Sequence, residues 1–107
     1  MADFTLHDLE RRLQQRAQES ADVSYTRKLL DRGVAHCAKK LGEEAFETAI
    51  AAVSEDKDRL TAEAADLIYH LLVVLHARGI ALADVEATLA ARSRQSGLDE
   101  KASRKHG

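Results

Sequence analysis

Two pairs of acids have types and spacing that suit metal chemistry. Glu44 and Glu47 are three residues apart, and so are Glu63 and Asp66. On a helix this spacing places both side chains of a pair on one face, about one turn apart. The 15 residues between the pairs are enough to finish one helix, turn and start an antiparallel partner. Four carboxylates in one groove repel one another unless a cation binds there, so the spacing predicts a metal site.

The residue types narrow the choice of cation. Ligand sets made only of oxygen favour Mg²⁺ or Mn²⁺ over zinc or copper. A carboxylate-bridged di-iron bundle would need Glu-x-x-His on two helices, and the sequence contains no such motif. Cys37 is the only cysteine, which excludes an intramolecular disulfide and a thiolate zinc site. We expect Cys37 to be a small core residue.

Two lysines precede the first acid pair and extend its chemistry. Lys39 and Lys40 could neutralise a leaving pyrophosphate, while a bound metal polarises a phosphoryl oxygen and activates water. This combination suits hydrolysis of a phosphoanhydride. The sequence contains no P-loop motif, which excludes a P-loop mechanism. The alternative is a solvated helix face whose acids form ordinary ion pairs, in a non-catalytic helical interaction module.

The composition predicts that helices position these residues. The chain has 107 residues, enough for one domain (1–107), with no proline and 45% hydrophobic residues. Val, Ile and Thr do not alternate at the period of a strand, so we expect an all-α bundle. The net charge of −2 gives no basic face for nucleic acid and no attraction to an anionic membrane. No apolar run approaches a span of about 20 residues, and the start lacks a signal peptide, which favours the cytoplasm.

Capping residues and apolar periodicity predict about five helices. Their expected bounds are 5–20, 25–32, 34–53, 57–78 and 82–94, with glycines 33 and 79 at helix ends. The third helix has two apolar stripes and is expected to pack on both sides, which indicates a dimer. One stripe holds Val34, Ala38, Leu41, Ala45, Ala49 and Ala52, and the other holds Phe46, Ile50 and Val53.

The inward faces of the other helices follow from the same periodicity. The predicted core face of the fourth helix holds Leu60, Ala64, Leu67, Ile68, Leu71, Val74 and Leu75. The first helix has Leu6, Leu9 and Leu13 on a stripe, and the fifth has Leu82, Val85 and Leu89 inward. We expect His70 to be packed or to support the site rather than to bind metal. Tyr25 is expected to be a structural anchor.

Longer motifs resemble one enzyme family. Ser24-Tyr25-Thr26 with Lys28-Leu29-Leu30, then Lys39-Lys40-Leu41-Gly42-Glu43-Glu44-Ala45, are similar to phosphoribosyl-ATP pyrophosphatases. So are Glu63-Ala64-Ala65-Asp66 and the tail Ser96-Gly97-Leu98-Asp99-Glu100-Lys101-Ala102-Ser103-Arg104. The acid pairs occur across all MazG-like nucleotide pyrophosphatases, whereas the Ser-Tyr-Thr segment and the tail single out this member.

The resemblance implies a MazG-like homodimer that hydrolyses phosphoribosyl-ATP with Mg²⁺, the second step of histidine biosynthesis. It assigns Glu44, Glu47, Glu63 and Asp66 to the metal, with Glu44 and Glu47 catalytic. It suggests Lys28, Lys39, Lys40, Lys101 and Arg104 for substrate binding. The implied organisation is an N-terminal helix (1–20), a helical core (24–94) and a polar tail (95–107). A rival reading is a housecleaning pyrophosphatase for other (deoxy)nucleoside triphosphates.

Overall fold

The computed structural model describes residues 3–94, which form five α-helices and no strand. The helices are α1 (Leu6–Arg16), α2 (Tyr25–Asp31), α3 (Val34–Ser54), α4 (Lys57–Ala77) and α5 (Leu82–Ser93). The predicted all-α architecture is therefore confirmed. The predicted end of the first helix near residue 20 was wrong, because the amides of Gln18 and Glu19 bond to carbonyls only three residues back. These tighter turns end α1 at Arg16.

Side-chain caps fix the starts of three helices. The Thr5 hydroxyl accepts a hydrogen bond from the amide of Asp8, whose carboxylate accepts one from the amide of Thr5. Ser24 caps α2 through the amide of Arg27, and Asp56 caps α4 through the amide of Arg59. Each cap satisfies an amide that has no partner within its helix. Each of these caps joins residues only three apart in the sequence.

Two glycines occupy backbone conformations that other residues rarely adopt. Gly79 has φ +70° and ends α4, where the amide of Ile80 bonds to the carbonyl of Leu75 and the amide of Gly79 to that of His76. This is a Schellman motif, and it confirms the predicted stop. Gly33 has φ +94° and separates α2 from α3. A side chain at either position would strain the turn between consecutive helices.

The apolar core lies where α1 and α2 meet α4 and the start of α3. Its buried members are Leu13, Leu29, Cys37, Leu72, Val73 and Leu82. Cys37 is 1% exposed, which confirms its prediction as a core residue. The predicted core face of α4 was displaced: most of its members are half-buried and Leu71 is exposed, whereas Leu72 and Val73 are buried. The reason is that α4 is central and contacts α1, α2 and α3 on different sides.

The two 21-residue helices α3 and α4 form an antiparallel hairpin with a two-residue connection. The face of α3 that meets α4 contains the buried Cys37 and Ala51, with Leu41, Glu44 and Thr48 half-buried between them. The two apolar stripes predicted for α3 flank this face and, apart from Leu41, they are exposed. Among residues 3–94, no other helix covers either stripe as a whole. Packing on both sides in a dimer therefore stays a prediction.

The outer helices make fewer contacts. Leu82 is buried and the Glu10 carboxylate accepts a hydrogen bond of 2.7 Å from its amide, which ties the start of α5 to α1. Leu89 is exposed, so the prediction that it points inward was wrong, and Leu6 on the apolar stripe of α1 is exposed as well. Both lie near helix ends, where no other described helix covers them.

Helix α4 is long and apolar enough to cross a membrane, as judged by length and composition. The central helix of a globular bundle satisfies the same test. Here α4 carries Glu63, Asp66 and His70 in its middle turns and contacts three other helices.

Candidate active site

The α3–α4 hairpin brings three of the four predicted acids together. Glu44 projects from α3, and Glu63 and Asp66 from α4; each offers one carboxylate oxygen, and these oxygens lie within 4.8 Å of one another. Glu63 is 9% exposed, Glu44 is half-buried and Asp66 is exposed. The cluster therefore runs from the helix interface to the solvent, and we call these three residues the acid cluster.

Two oxygens of the acid cluster have no hydrogen-bond partner among residues 3–94. They are Oε2 of Glu44 and Oε2 of Glu63, and both atoms are buried. A buried carboxylate oxygen without a donor loses its hydration and gains nothing in return. Such an arrangement is unfavourable as a structural element but is typical of a site that receives a cation.

The pKa values of the two buried acids reflect this environment. Burial raises the pKa of Glu44 above its ordinary value, and the neighbouring Glu47 raises it further, while His70 opposes the shift. A hydrogen bond with Glu47 raises the pKa of Glu63, and burial adds to it, while Arg59 opposes it. Both glutamates thus resist ionisation, as carboxyl groups do when they crowd together away from water.

Glu47 lies beside the acid cluster rather than inside it. Its side chain is exposed, and it acts on both Glu44 and Glu63. One turn of α3 separates it from Glu44, as the spacing predicted. Glu47 is therefore placed at the solvent edge, within reach of the other acids.

Sequence reasoning missed Thr48, which joins the two helices at the site. Its hydroxyl oxygen lies 2.7 Å from the carbonyl oxygen of Glu44 and 3.1 Å from that of Glu63. The first contact is within α3, and the second crosses to α4. The single hydroxyl hydrogen is donated to these two carbonyls, so Thr48 fixes the backbones that carry two of the acids. A threonine four residues after Glu44 was the only signal in the sequence.

His70 supports the cluster from the next turn of α4. It is buried, and its Nδ1 lies 2.8 Å from the carbonyl oxygen of Asp66. Because a carbonyl only accepts, Nδ1 donates, and Nε2 lies 3.4 Å from the hydroxyl of Tyr25. The burial of His70 agrees with the prediction that it is packed, and the prediction that it does not bind metal stays a prediction.

Arg59 was also missed, and it lies at the edge of the cluster nearest the hairpin turn. Its Nε is 3.6 Å from Glu55 Oε2 and 3.8 Å from Glu63 Oε1. A cavity of about 190 Å³ opens here, lined by Glu47, Ile50, Glu55, Arg59 and Glu63. A positive charge therefore stands beside the most buried acid.

The predicted basic residues differ in their surroundings. Lys40 pairs with Glu43 at 3.3 Å, and this hydrogen bond raises the pKa of Lys40, with Tyr25 and Glu44 adding to the effect. Lys28 and Lys39 are exposed. Lys101 and Arg104 lie outside the described residues. Of the predicted cations, Lys40 is thus the one that the structure places near Glu44.

Comparisons with known proteins give the same family as the motifs. The sequence model of the phosphoribosyl-ATP pyrophosphohydrolase family matches residues 6–93. The chain is 60% identical to phosphoribosyl-ATP pyrophosphatase 1 of Bradyrhizobium diazoefficiens, over 98% of this chain and 99% of the relative. It is 61% identical to the phosphoribosyl-ATP pyrophosphatase of Azorhizobium caulinodans, over 94% of this chain and 92% of the relative. The chain therefore belongs to the phosphoribosyl-ATP pyrophosphohydrolase family.

Proposed function

We propose that the chain hydrolyses phosphoribosyl-ATP to phosphoribosyl-AMP and pyrophosphate, the second step of histidine biosynthesis. The observation that carries this proposal is the acid cluster with its two buried, unpartnered carboxylate oxygens, in a chain of this family. The names of the relatives supply the substrate. The two buried oxygens explain why the chain would need a cation to hydrolyse this substrate.

The acid cluster fits Mg²⁺, with Mn²⁺ as the second choice. Its donors are all carboxylate oxygens, which hard divalent cations prefer. Glu44, Glu63 and Asp66, with Glu47 beside them, would hold the ion. When bound, the cation supplies Lewis-acid polarisation of a phosphoryl oxygen and a more acidic water.

The remaining roles are catalysis by carboxylates and binding of the substrate's phosphates. Glu44 and Glu47 are the proposed catalytic carboxylates, because Glu44 belongs to the acid cluster and Glu47 lies beside it at the solvent edge, where an attacking water would arrive. Lys28, Lys39 and Lys40 are proposed to bind phosphates, and Lys40 would exchange Glu43 for a phosphate oxygen. Lys101 and Arg104 belong to the same proposal as contacts from the tail.

The test is pyrophosphate release from phosphoribosyl-ATP with Mg²⁺ or EDTA, beside dATP and dUTP. We expect release from phosphoribosyl-ATP that depends on Mg²⁺, and its loss in Asp66→Asn. Asp58→Asn is the matched control, since Asp58 is an exposed acid on the same helix outside the acid cluster.

Two results would overturn the proposal in different ways. Release only from dATP or dUTP would keep the site and assign the chain to housecleaning of nucleoside triphosphates. If no substrate releases pyrophosphate and Mg²⁺ gives no thermal stabilisation, the acids are surface charges of a non-catalytic interaction module.

We further propose that the chain works as a homodimer through the free faces of α3. Phe46 is 69% exposed and Val53 is 89% exposed, with Ile50 between them, and on α4 Leu71 is exposed as well. Patches of this kind are typical of a protein interface. A second copy is the expected partner, because the hairpin is otherwise a small bundle with few buried residues near its turn. We also propose that this enzyme is cytoplasmic and binds neither nucleic acid nor membrane.

The dimer is tested by light scattering after size-exclusion chromatography. We expect a molar mass near twice 11.8 kDa for the unmodified chain and near one chain for Phe46→Glu. Leu89→Glu, an exposed leucine on α5, is the control and should leave the mass unchanged. A single-chain mass for the unmodified protein at micromolar concentration would refute the proposal.

A further inference from the structure

A second cavity lies between α1, α2 and α4. Its volume is about 320 Å³, large enough for a sugar phosphate or a nucleobase. The floor is apolar, with Leu9, Leu13 and Val23, and the phenol rings of Tyr25 and Tyr69 form one side. Arg12 and Arg16 also line it. We call it the arginine pocket.

The Ser24-Tyr25-Thr26 segment shapes this pocket, because each of its side chains contacts a residue of another helix. Buried Ser24 donates to the carbonyl of Arg16 at 2.8 Å, which holds the end of α1 against α2. Buried Thr26 lies 2.5 Å from the hydroxyl of Tyr69, which fixes that ring. The walls of the pocket are therefore set before any ligand arrives, which lowers the entropic cost of binding.

Tyr25 connects the arginine pocket to the acid cluster. Its hydroxyl lies 3.4 Å from Nε2 of His70, and Nδ1 of His70 bonds to the carbonyl of Asp66. The ring of Tyr25 stacks on that of Tyr69, with centroids 6.3 Å apart. Tyr25 is 51% exposed, so one side of its ring remains open to a ligand. One molecule could therefore extend from the pocket to the acids.

The charges of the pocket select an anion. The guanidinium of Arg12 lies over the ring of Phe4, 5.5 Å from its centroid, and no ion pair holds it among residues 3–94. Arg16 has only a long contact with Glu19, at 3.4 Å. Arginine pairs bind phosphate oxygens through several charge-assisted hydrogen bonds. A ligand that carries a phosphate on an otherwise uncharged group would fit here, with the phosphate at the two arginines and the uncharged group on the apolar floor.

From this arrangement we propose that the arginine pocket receives the phosphoribosyl end of the substrate, with Arg12 and Arg16 binding its 5′-phosphate. The inference rests on the proposed function, because phosphoribosyl-ATP carries a sugar phosphate at the end opposite its triphosphate. Simple nucleoside triphosphates lack that group. The pocket would therefore be the part of the chain that distinguishes phosphoribosyl-ATP from ATP or dATP.

Kinetics of single substitutions test the pocket. Arg12→Gln and Arg16→Gln should each raise KM for phosphoribosyl-ATP about ten- to a hundredfold, the usual effect of losing hydrogen bonds to a charged group, and leave kcat within about twofold. Arg11→Gln is the matched control: Arg11 is an exposed neighbour that pairs with Asp8 and does not line the pocket, and KM should not change. All four proteins should share one thermal midpoint within about 2 °C.

Competition with ribose 5-phosphate gives a second measurement. It should inhibit the unmodified enzyme competitively and lose this effect in the variant that carries both Arg12→Gln and Arg16→Gln. An active enzyme whose KM and inhibition are unchanged in these variants would overturn the inference while leaving the proposed function intact. An unmodified chain that never hydrolyses phosphoribosyl-ATP would overturn both.

Discussion

Thr48 provides the sharpest test of how the hairpin holds its acids. Thr48→Val keeps the shape and β-branching of the side chain and removes only the hydroxyl, which lies 2.7 Å and 3.1 Å from the carbonyls of Glu44 and Glu63. One net intramolecular hydrogen bond contributes about 1 kcal/mol. With an unfolding entropy of about 2.1 cal/mol/K per residue, a chain of this length should lose roughly 4–5 °C in its thermal midpoint.

The assay is thermal unfolding with and without Mg²⁺, together with pyrophosphate release. Thr61→Val is the matched control, since Thr61 is exposed on α4 and bonds only to the carbonyl of Lys57 in its own helix. We expect the control to lose less than about 0.5 kcal/mol. Thr48→Ser should recover most of the loss, because it restores the hydroxyl. Equal losses for Thr48→Val and Thr61→Val, with unchanged stabilisation by Mg²⁺, would show that the contact between the helices does not hold the site.

Three further predictions follow from burial and charge. The pKa values of Glu44 and Glu63 are raised in the folded chain, so above pH 4.5 the unfolded chain loses these protons before the folded chain does. The thermal unfolding midpoint measured in EDTA should therefore fall as the pH rises towards neutral, and Glu44→Gln should flatten this slope. A variant whose midpoint falls with pH as steeply as that of the unmodified chain would refute the account. Cys37 is 1% exposed and burial raises its pKa, so a thiol reagent should modify it only at the rate of unfolding, and immediate modification of the native chain would contradict this. Leu13→Ala should cost about 2–5 kcal/mol in chemical denaturation and Leu89→Ala, at an exposed position, much less; similar costs would count against the described core.

Local rules were enough to predict the helices and much of the candidate site. The caps Ser24 and Asp56 and the stop at Gly79 act over three or four residues, so they can be seen in the sequence itself. The spacing of Glu63 and Asp66 fixes their relative position on any helix. The meeting of the two acid pairs depends on the fold: the short connection between α3 and α4 brings Glu44, Glu63 and Asp66 together, while Glu47 lies beside them.

The rotation of α3 could not be predicted in this way. Apolar residues cover more than half of its circumference, so burying either stripe would look equally favourable. The observed face instead contains small and polar side chains, among them Cys37, Thr48 and Ala51, which let α4 approach closely. A hydroxyl that bonds across the interface to a carbonyl leaves no mark in apolar periodicity. Thr48 and the helix rotation were therefore missed together.

The distribution of buried side chains connects the stability of the hairpin to its proposed ligands. Near its open end, Leu72 and Val73 of α4 pack into the core with α1 and α2. Towards the turn, the buried side chains are Ala51, which is small, and Glu63, whose Oε2 has no hydrogen-bond partner in the described part of the chain. That half gains little from hydrophobic burial, and crowding of the acids works against it. A cation at the acid cluster and a second copy on the free faces of α3 would each remove one of these costs. Binding of either should therefore stabilise the turn half first, and hydrogen exchange of Ala51 should slow on adding Mg²⁺ while that of Val73 stays constant.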